Sequence, residues 1–532
     1  MALSENDESQ IDRHDPWVLT VDATLNRDSF ASTPTRRRPS AVSAMTHDLR
    51  RSCSLVVLAL AVATTVRAQP RMSAPGAPTT LTPQQQAARA IYKELVEINT
   101  VDSVGSVTKA AEAMAVRFRA AGFAESDIHI VGPANAPSKQ NLVVRYRGRG
   151  QGKPILLLAH LDVVAALRSD WPRDPFIMVE QDGYFLGRGV ADDKSMASIF
   201  VANVLRYKQE GFVPARDLIL ALTADEEGGG SNGVGWLIAN RRELIDAEYA
   251  INEGGGGTLQ DDKPLFHSVQ AAEKLPLNYT LTVLNSGGHS SVPRKDNAIY
   301  SLANAIARIQ SYTFPVELNE ISRPFFEQTA KVEMPSLAVA MRAIVANPKD
   351  SVAAATISKD PRYASMLRTT CVATRLAAGH ADNALPQSAT ANINCRVAPT
   401  STAEHAKTVL ERVIGDSTVK VSMRTIAGRE VAPAKVAAID PTLLAATQAL
   451  TKKMFNDVPV IPTMSTGATD GRFLRAAGIP TYGVSGIFSA PGETNAHGRD
   501  EKLRIKSYYD GLDFLYQLVK QVASAPPGRP VS

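Results

Sequence analysis

From Asp217 to Gly230 the chain reads DLILALTADEEGGG. An unbroken apolar run of this length, closed by acids and glycines, reads as a strand buried on both faces, as in a parallel sheet. Open α/β sheets bind ligands beyond the carboxyl ends of their strands. Asp225, Glu226 and Glu227 stand at that end, where three adjacent carboxylates repel unless a cation lies among them. In extended backbone Glu226 and Glu227 face opposite ways, so one can ligate while the other acts as a base. A solvated loop is the plainer alternative.

Four other stretches put ionisable groups at the ends of apolar runs. In ILLLAHLD, Ile155 to Asp162, His160 and Asp162 share one side of a strand, and a carboxylate beside an imidazole fixes the tautomer of a metal-binding histidine. GRGVADDKSM, from Gly187, carries Asp192 and Asp193, either of which bridges two ions or caps the helix that follows. YAINE ends on Glu253 before four glycines, and ETNAHGRDE carries His497. His160, Asp192, Glu227, Glu253 and His497 together offer two imidazoles and three carboxylates. That donor set suits zinc, or cobalt or manganese, better than calcium or an iron–sulfur cluster. With one carboxylate shared, each of two ions keeps an open position, which is the coordination of a catalytic site.

Helical periodicity covers Gln85 to Ala121, Met196 to Gln209 and Val234 to Asn240, with strands at Asn141–Tyr146 and Ile155–Ala159 between them. Strand and helix alternate, so the fold class is α/β with a mixed sheet between helices. After Glu273 the texture changes. Leu277–Leu284 alternates like a half-exposed strand, Asn297–Gln310 is an amphipathic helix, and a less regular stretch runs to about Arg362 before strands at Leu367–Arg375 and Ala389–Val397. We therefore expect a first part of the main domain at 85–274, an inserted α+β domain at 275–399, a second part of the main domain at 400–525, and a tail at 526–532. A chain of 532 residues with 44% hydrophobic and 21% charged residues is long enough for two cores and too apolar to be disordered. A net charge of +5, spread along the chain, calls for no nucleic acid.

Leu55 to Val66 is a short uncharged apolar stretch, preceded by Arg50-Arg51 and followed by Val66-Arg67-Ala68. A basic start, a short apolar core and a small-residue cleavage site read as a secretory signal over 45–68, cut before Gln69. Residues 1–44 are then a disordered extension or a mis-assigned start, with Met45 as the first residue, and 69–84 is a linker. The expected location is secreted or periplasmic, with no stable membrane insertion after cleavage. Of three cysteines only Cys371 and Cys395 survive that cut. Each lies in a strand-like run, so a bridge between neighbouring strands and two free thiols both remain open.

LLLAHLDVV, GRGVADDKSM, TADEEGGG, INEGGGG, SGGHSSVP and ETNAHGRDE, in this order and spacing, resemble the two-zinc aminoacylase/carboxypeptidase family. That family includes aminoacylase, acetylornithine deacetylase, succinyl-diaminopimelate desuccinylase, glutamate carboxypeptidase and the Gly-X carboxypeptidases. The match runs from about Ala87 to Val519, and the long insert looks most like the Gly-X carboxypeptidase and N-acyl-amino-acid hydrolase branch. The resemblance implies a zinc-exopeptidase-like catalytic domain interrupted by a lid and dimerisation domain. It implies two Zn²⁺ ions (Co²⁺ or Mn²⁺ in their place) on His160, Asp192, Glu227, Glu253 and His497, with Asp192 bridging and a cis peptide after it. Asp162 would orient His160, Glu226 would be the general acid/base, and lid residue His289 would hold the oxyanion. Asn383 and Arg396 would grip the substrate from the lid, and Gly467 and Thr469 would lie in a Gly-rich loop near its carboxylate. The implied activity is hydrolysis of an amide next to a free carboxylate, on short peptides first and on N-acyl amino acids second. A homodimer through the lid is a further expectation, and a secreted peptide-binding protein without catalysis is the rival reading.

Overall fold

The computed structural model describes residues 80–424 and 435–525. The expected signal segment and the tail at 526–532 lie outside the described residues, as does all but the end of the linker. Among the described residues no helix is long and apolar enough to cross a membrane.

Ten strands form the central mixed sheet, in the order Ile128–Val131, Asn141–Tyr146, Leu218–Thr223, Ile155–His160, Tyr249–Asn252, Thr481–Gly483, Lys263–Glu273, Gly256–Gln260 and Phe488–Ser489, with Val460–Ser465 added parallel to Lys263–Glu273. Three central neighbours run parallel, with Ile155 opposite both Leu218 and Tyr249, and His160 opposite Thr223. Their carboxyl ends therefore lie on one edge. His160, the acids after Thr223, and Glu253 after Asn252 all emerge there.

Alternate residues along a strand face opposite layers, and the two layers divide accordingly. Ile155, Leu157 and Ala159 pack with helices Pro83–Glu97, Val107–Ala120, Lys194–Gln209 and Ile505–Ser524. Leu156 and Leu158 pack with helices Gly233–Asn240 and Gly471–Ala476. A strand covered on both faces needs no polar positions, which is why Leu218–Thr223 and Ile155–His160 are buried throughout.

The lid is a four-stranded antiparallel sheet, ordered Thr370–Ala378, Ser388–Val397, Leu275–Leu284, Val419–Met423. Helices Ala298–Ser311 and Ala403–Ile414 cover one face, and buried and half-buried residues alternate along Leu275–Val283 to match. Cys371 and Cys395 sit directly opposite each other and form a disulfide.

Two expectations about this insert are corrected. The lid does not end at 399, because the helix from Ala403 and the strand from Val419 return to its sheet. The stretch read as irregular holds four short helices, Ser322–Thr329, Pro335–Ala346, Ser351–Ile357 and Pro361–Leu367. They build no lid core. Phe325, Phe326, Met341 and Ile344 pack instead with Phe266 and Ile461 of the central sheet.

His267, on one of those central strands, is fully buried among Phe455, Phe488 and Phe514. Thr451 gives its hydroxyl proton to the Thr447 carbonyl, so its oxygen accepts from His267 Nδ1–H at 2.8 Å, which leaves Nε2 bare. Burial pushes the imidazole down to about 3. The unfolded chain takes up this proton below about pH 6.5 while the folded one refuses it, so stability falls with acid at roughly 1.4 kcal/mol per pH unit across that window. We expect urea unfolding to show a His267→Leu variant losing about 2–3 kcal/mol less than wild type between pH 7 and 4.5. Equal losses in the two proteins would refute this.

Candidate metal centre

Two clusters form where the loops after the parallel strands meet the turn carrying Asp192 and the loop carrying His497. His160 Nε2 lies 3.0 Å from Asp192 Oδ1 and 3.8 Å from Glu253 Oε1. His497 Nε2 lies 3.1 Å from Asp192 Oδ2 and 2.9 Å from Glu227 Oε1. In each cluster the candidate ligand atoms lie within 4.8 Å of one another, and Asp192 belongs to both. All five residues read from the sequence thus converge, with one oxygen of Asp192 turned to each imidazole. The Asp192–Asp193 peptide is cis.

Three carboxylates against two imidazoles leave a site that asks for positive charge. The same demand shows in how these groups shift one another's proton affinity. Against the opposing effect of burial, Asp162 and Asp192 push His160 well above its ordinary value. Hydrogen bonds to Asp192 and Glu227 push His497 up to about 10. Burial works to raise Asp192, but the two histidines hold it well below the usual carboxylate range. Divalent cations would meet that demand, so the donor set fits two metal ions.

Asp162 faces His160, as expected, and carries a second task. His160 Nδ1 donates to the Asp162 backbone carbonyl at 3.0 Å, closer than the carboxylate at 3.6 Å. The carboxylate also accepts from the Glu226 and Glu227 amides at 3.1 and 3.0 Å. It ties the acid loop to the histidine strand. Glu226 ligates in neither cluster. Burial, reinforced by Asp470, Glu227 and Asp162 and opposed by His160, pushes it up to about 8. Asp470 itself is buried and accepts from Thr223 Oγ1 and Asn232 Nδ2. The sequence reading assigned it no role.

The residues expected to hold substrate divide. Arg396 is half-buried, and its guanidinium, drawn down mainly by burial, feels both Arg472 and Glu226. It stands on the insert's strand Ser388–Val397, opposite Pro276 and Thr370. His289 and Asn383 stand exposed on a small ribbon of the lid, where Ser290 N donates to Asn383 O. The ring of His289 accepts at Nδ1 from Ser291 of its own loop. Gly467 donates its amide to Ser465 Oγ. Thr469 gives both its amide and its hydroxyl to the buried Glu273, at 3.0 and 2.9 Å, and Glu273 also pairs with Arg475. Those groups of Thr469 are committed to holding their loop against the end of the central strand Lys263–Glu273.

Residues 156–521 match the profile of peptidase family M20/M25/M40. A probable carboxypeptidase S-like 2 from Dictyostelium discoideum is 29% identical over 464 residues, 80% of this chain and 88% of that protein. The human N-fatty-acyl-amino acid synthase/hydrolase PM20D1 is 28% identical over 381 residues, 69% of this chain and 74% of that protein. Among solved structures, an M20 family metallo-carboxypeptidase from Sulfolobus solfataricus superposes with a TM-score of 0.63 at 18% identity, covering 82% of this chain and 99% of that one. With the paired clusters around Asp192 and the family match across most of its length, this chain belongs to peptidase family M20/M25/M40.

Proposed function

We propose that this chain is a two-zinc exopeptidase that removes a C-terminal residue from short peptides, with N-acyl amino acids as a second substrate class. Two clusters sharing Asp192, with the non-ligating Glu226 beside them, carry the reading. His160, Asp192 and Glu253 would hold one ion, and Asp192, Glu227 and His497 the other, with cobalt or manganese as substitutes. Bound there, the ions supply Lewis acidity for the scissile carbonyl and bring the pKa of water toward neutrality. Glu226 takes the proton from the attacking water and returns it to the leaving nitrogen. Arg396 and the Gly467 loop hold the substrate carboxylate, for which a guanidinium is well suited, and Asn383, on the exposed ribbon with His289, grips the substrate from the lid of a second copy. Thr469 serves that loop by fastening it to Glu273.

The human relative's name favours the N-acyl amino acids. Both substrate classes present an amide beside a carboxylate, and the charge around Arg396 serves either. Export to an oxidising compartment is part of the proposal, supported by the apolar stretch after Arg51 and by the Cys371–Cys395 bridge. So is a homodimer formed through the lid, whose edge strand Thr370–Ala378 exposes Val372 and Leu376.

The test is hydrolysis by the chain from Gln69 onward, loaded with zinc. We expect a Gly-X dipeptide and an N-acetyl amino acid to be cleaved, their C-terminal amides to be spared, and a chelator to abolish both activities. Two bound zinc equivalents with neither substrate cleaved would favour a peptide-binding protein.

A further inference from the structure

Arg188 and Glu501 form an ion pair at 2.7 Å, and both are buried, Arg188 beneath Trp171 with 5.2 Å from guanidinium to ring centre. Neither touches the candidate metal positions. Glu501 accepts from three amides of the turn that ends on the bridging ligand: Gly189 N at 3.1 Å, Ala191 N at 2.7 Å and Asp192 N at 3.1 Å. Arg188 extends its other nitrogen to the carbonyls of His497 and Gly498, at 3.2 and 3.1 Å. His497 has φ of 65°. A side chain with a Cβ rarely rests in that left-handed conformation, and it persists only where its surroundings hold it. Arg188 gripping the His497 carbonyl is such a hold.

We propose that Arg188 and Glu501 are positioning residues that fasten the bridging Asp192 and the ligand His497 to one buried strut. The two ligands lie 305 positions apart in sequence. Each stands on a loop that could drift independently, and one salt bridge makes them a unit. The two partners do different work. Glu501 sets the backbone of Asp192, which serves both ions. Arg188 alone sets His497, which serves only the ion shared with Glu227. Its loss therefore weakens one metal position selectively. This inference rests on the reading that the five residues hold two ions.

Zinc titration by calorimetry, with bound equivalents counted after dialysis, tests it on wild type, Arg188→Lys and Glu501→Gln. Wild type binding two equivalents upholds the underlying reading, and wild type binding none ends that reading whatever the variants do. Lysine keeps the charge opposite Glu501 but lacks the second arm of the fork, which reaches both carbonyls. Arg188→Lys is expected to weaken one equivalent roughly 10- to 100-fold, the usual scale for losing an outer-shell partner, and to leave the other unchanged. Glu501→Gln weakens both. A merely structural role would lower both sites together with the melting temperature, so selective loss at an unchanged melting temperature identifies positioning. If either variant fails to fold, amide exchange in metal-free wild type decides. The amides of Gly189, Ala191 and Asp192 should be protected without any ion, because Glu501 already holds them. Native affinity for both equivalents in Arg188→Lys, or unprotected amides in the metal-free protein, overturns the proposal.

Discussion

Replacing Glu226 by Gln lowers kcat by roughly 10²- to 10⁴-fold, the usual worth of a general acid/base, while the protein keeps its full complement of metal. Glutamine matches the shape, and the bond at this position that fixes the loop comes from the backbone: Glu226 N to Asp162 Oδ1. The acid loop therefore stays where it is, and Glu227 stays with His497. What disappears is a proton carrier. Burial, opposed by His160 and reinforced by Asp470, Glu227 and Asp162, pushes Glu226 up to about 8. Two cations nearby draw it down toward neutrality, where a group can both accept and return a proton. Steady-state kinetics beside metal analysis of the same samples gives the answer. A kcat within a factor of about ten of wild type, at full metal content, would remove Glu226 from the mechanism.

Much of this centre is legible in the sequence because the sheet advertises it. His160, Glu227 and Glu253 each follow an apolar run, and three parallel strands must end on one edge, so acids after them must meet. Asp192 and His497 have no such strand behind them and become readable only as members of an ordered set of motifs. The supports are harder to see. Glu501 stands four residues after His497 and looks like one more acid in a polar loop, yet its partner Arg188 is 313 positions away. Nothing in local spacing announces that pairing. The Asp162 case is subtler, since its neighbourhood to His160 is right but its carboxylate also serves the amides of Glu226 and Glu227. The helices between Ser322 and Leu367 were hidden for a different reason. They run only 7 to 12 residues, too short for a clear period of 3.6, and their apolar faces answer to Phe266 and Ile461 in the central sheet.

The position of His289 leads to the second large effect. Its ring makes its contacts within its own exposed loop, while Arg396 of the same lid already reaches Glu226 electrostatically. We therefore expect this oxyanion donor to serve the site of a second copy in the proposed lid dimer. His289→Ala should then lose about 10²- to 10³-fold in kcat, the typical cost of one oxyanion donor, with metal binding intact. Mixing it with Glu226→Gln under subunit exchange should restore activity. A mixed two-fold dimer holds one site with wild-type Glu226 and a wild-type His289 from across the interface, and one site lacking both. Half of the dimers are mixed and one of their two sites works, so the mixture should approach about a quarter of wild-type activity. Placing a charge on the exposed lid edge, as in Val372→Lys or Leu376→Lys, should abolish that recovery by blocking association of the copies. A mixture no more active than the sum of its two parents would mean that His289 works within its own chain or takes no part in catalysis.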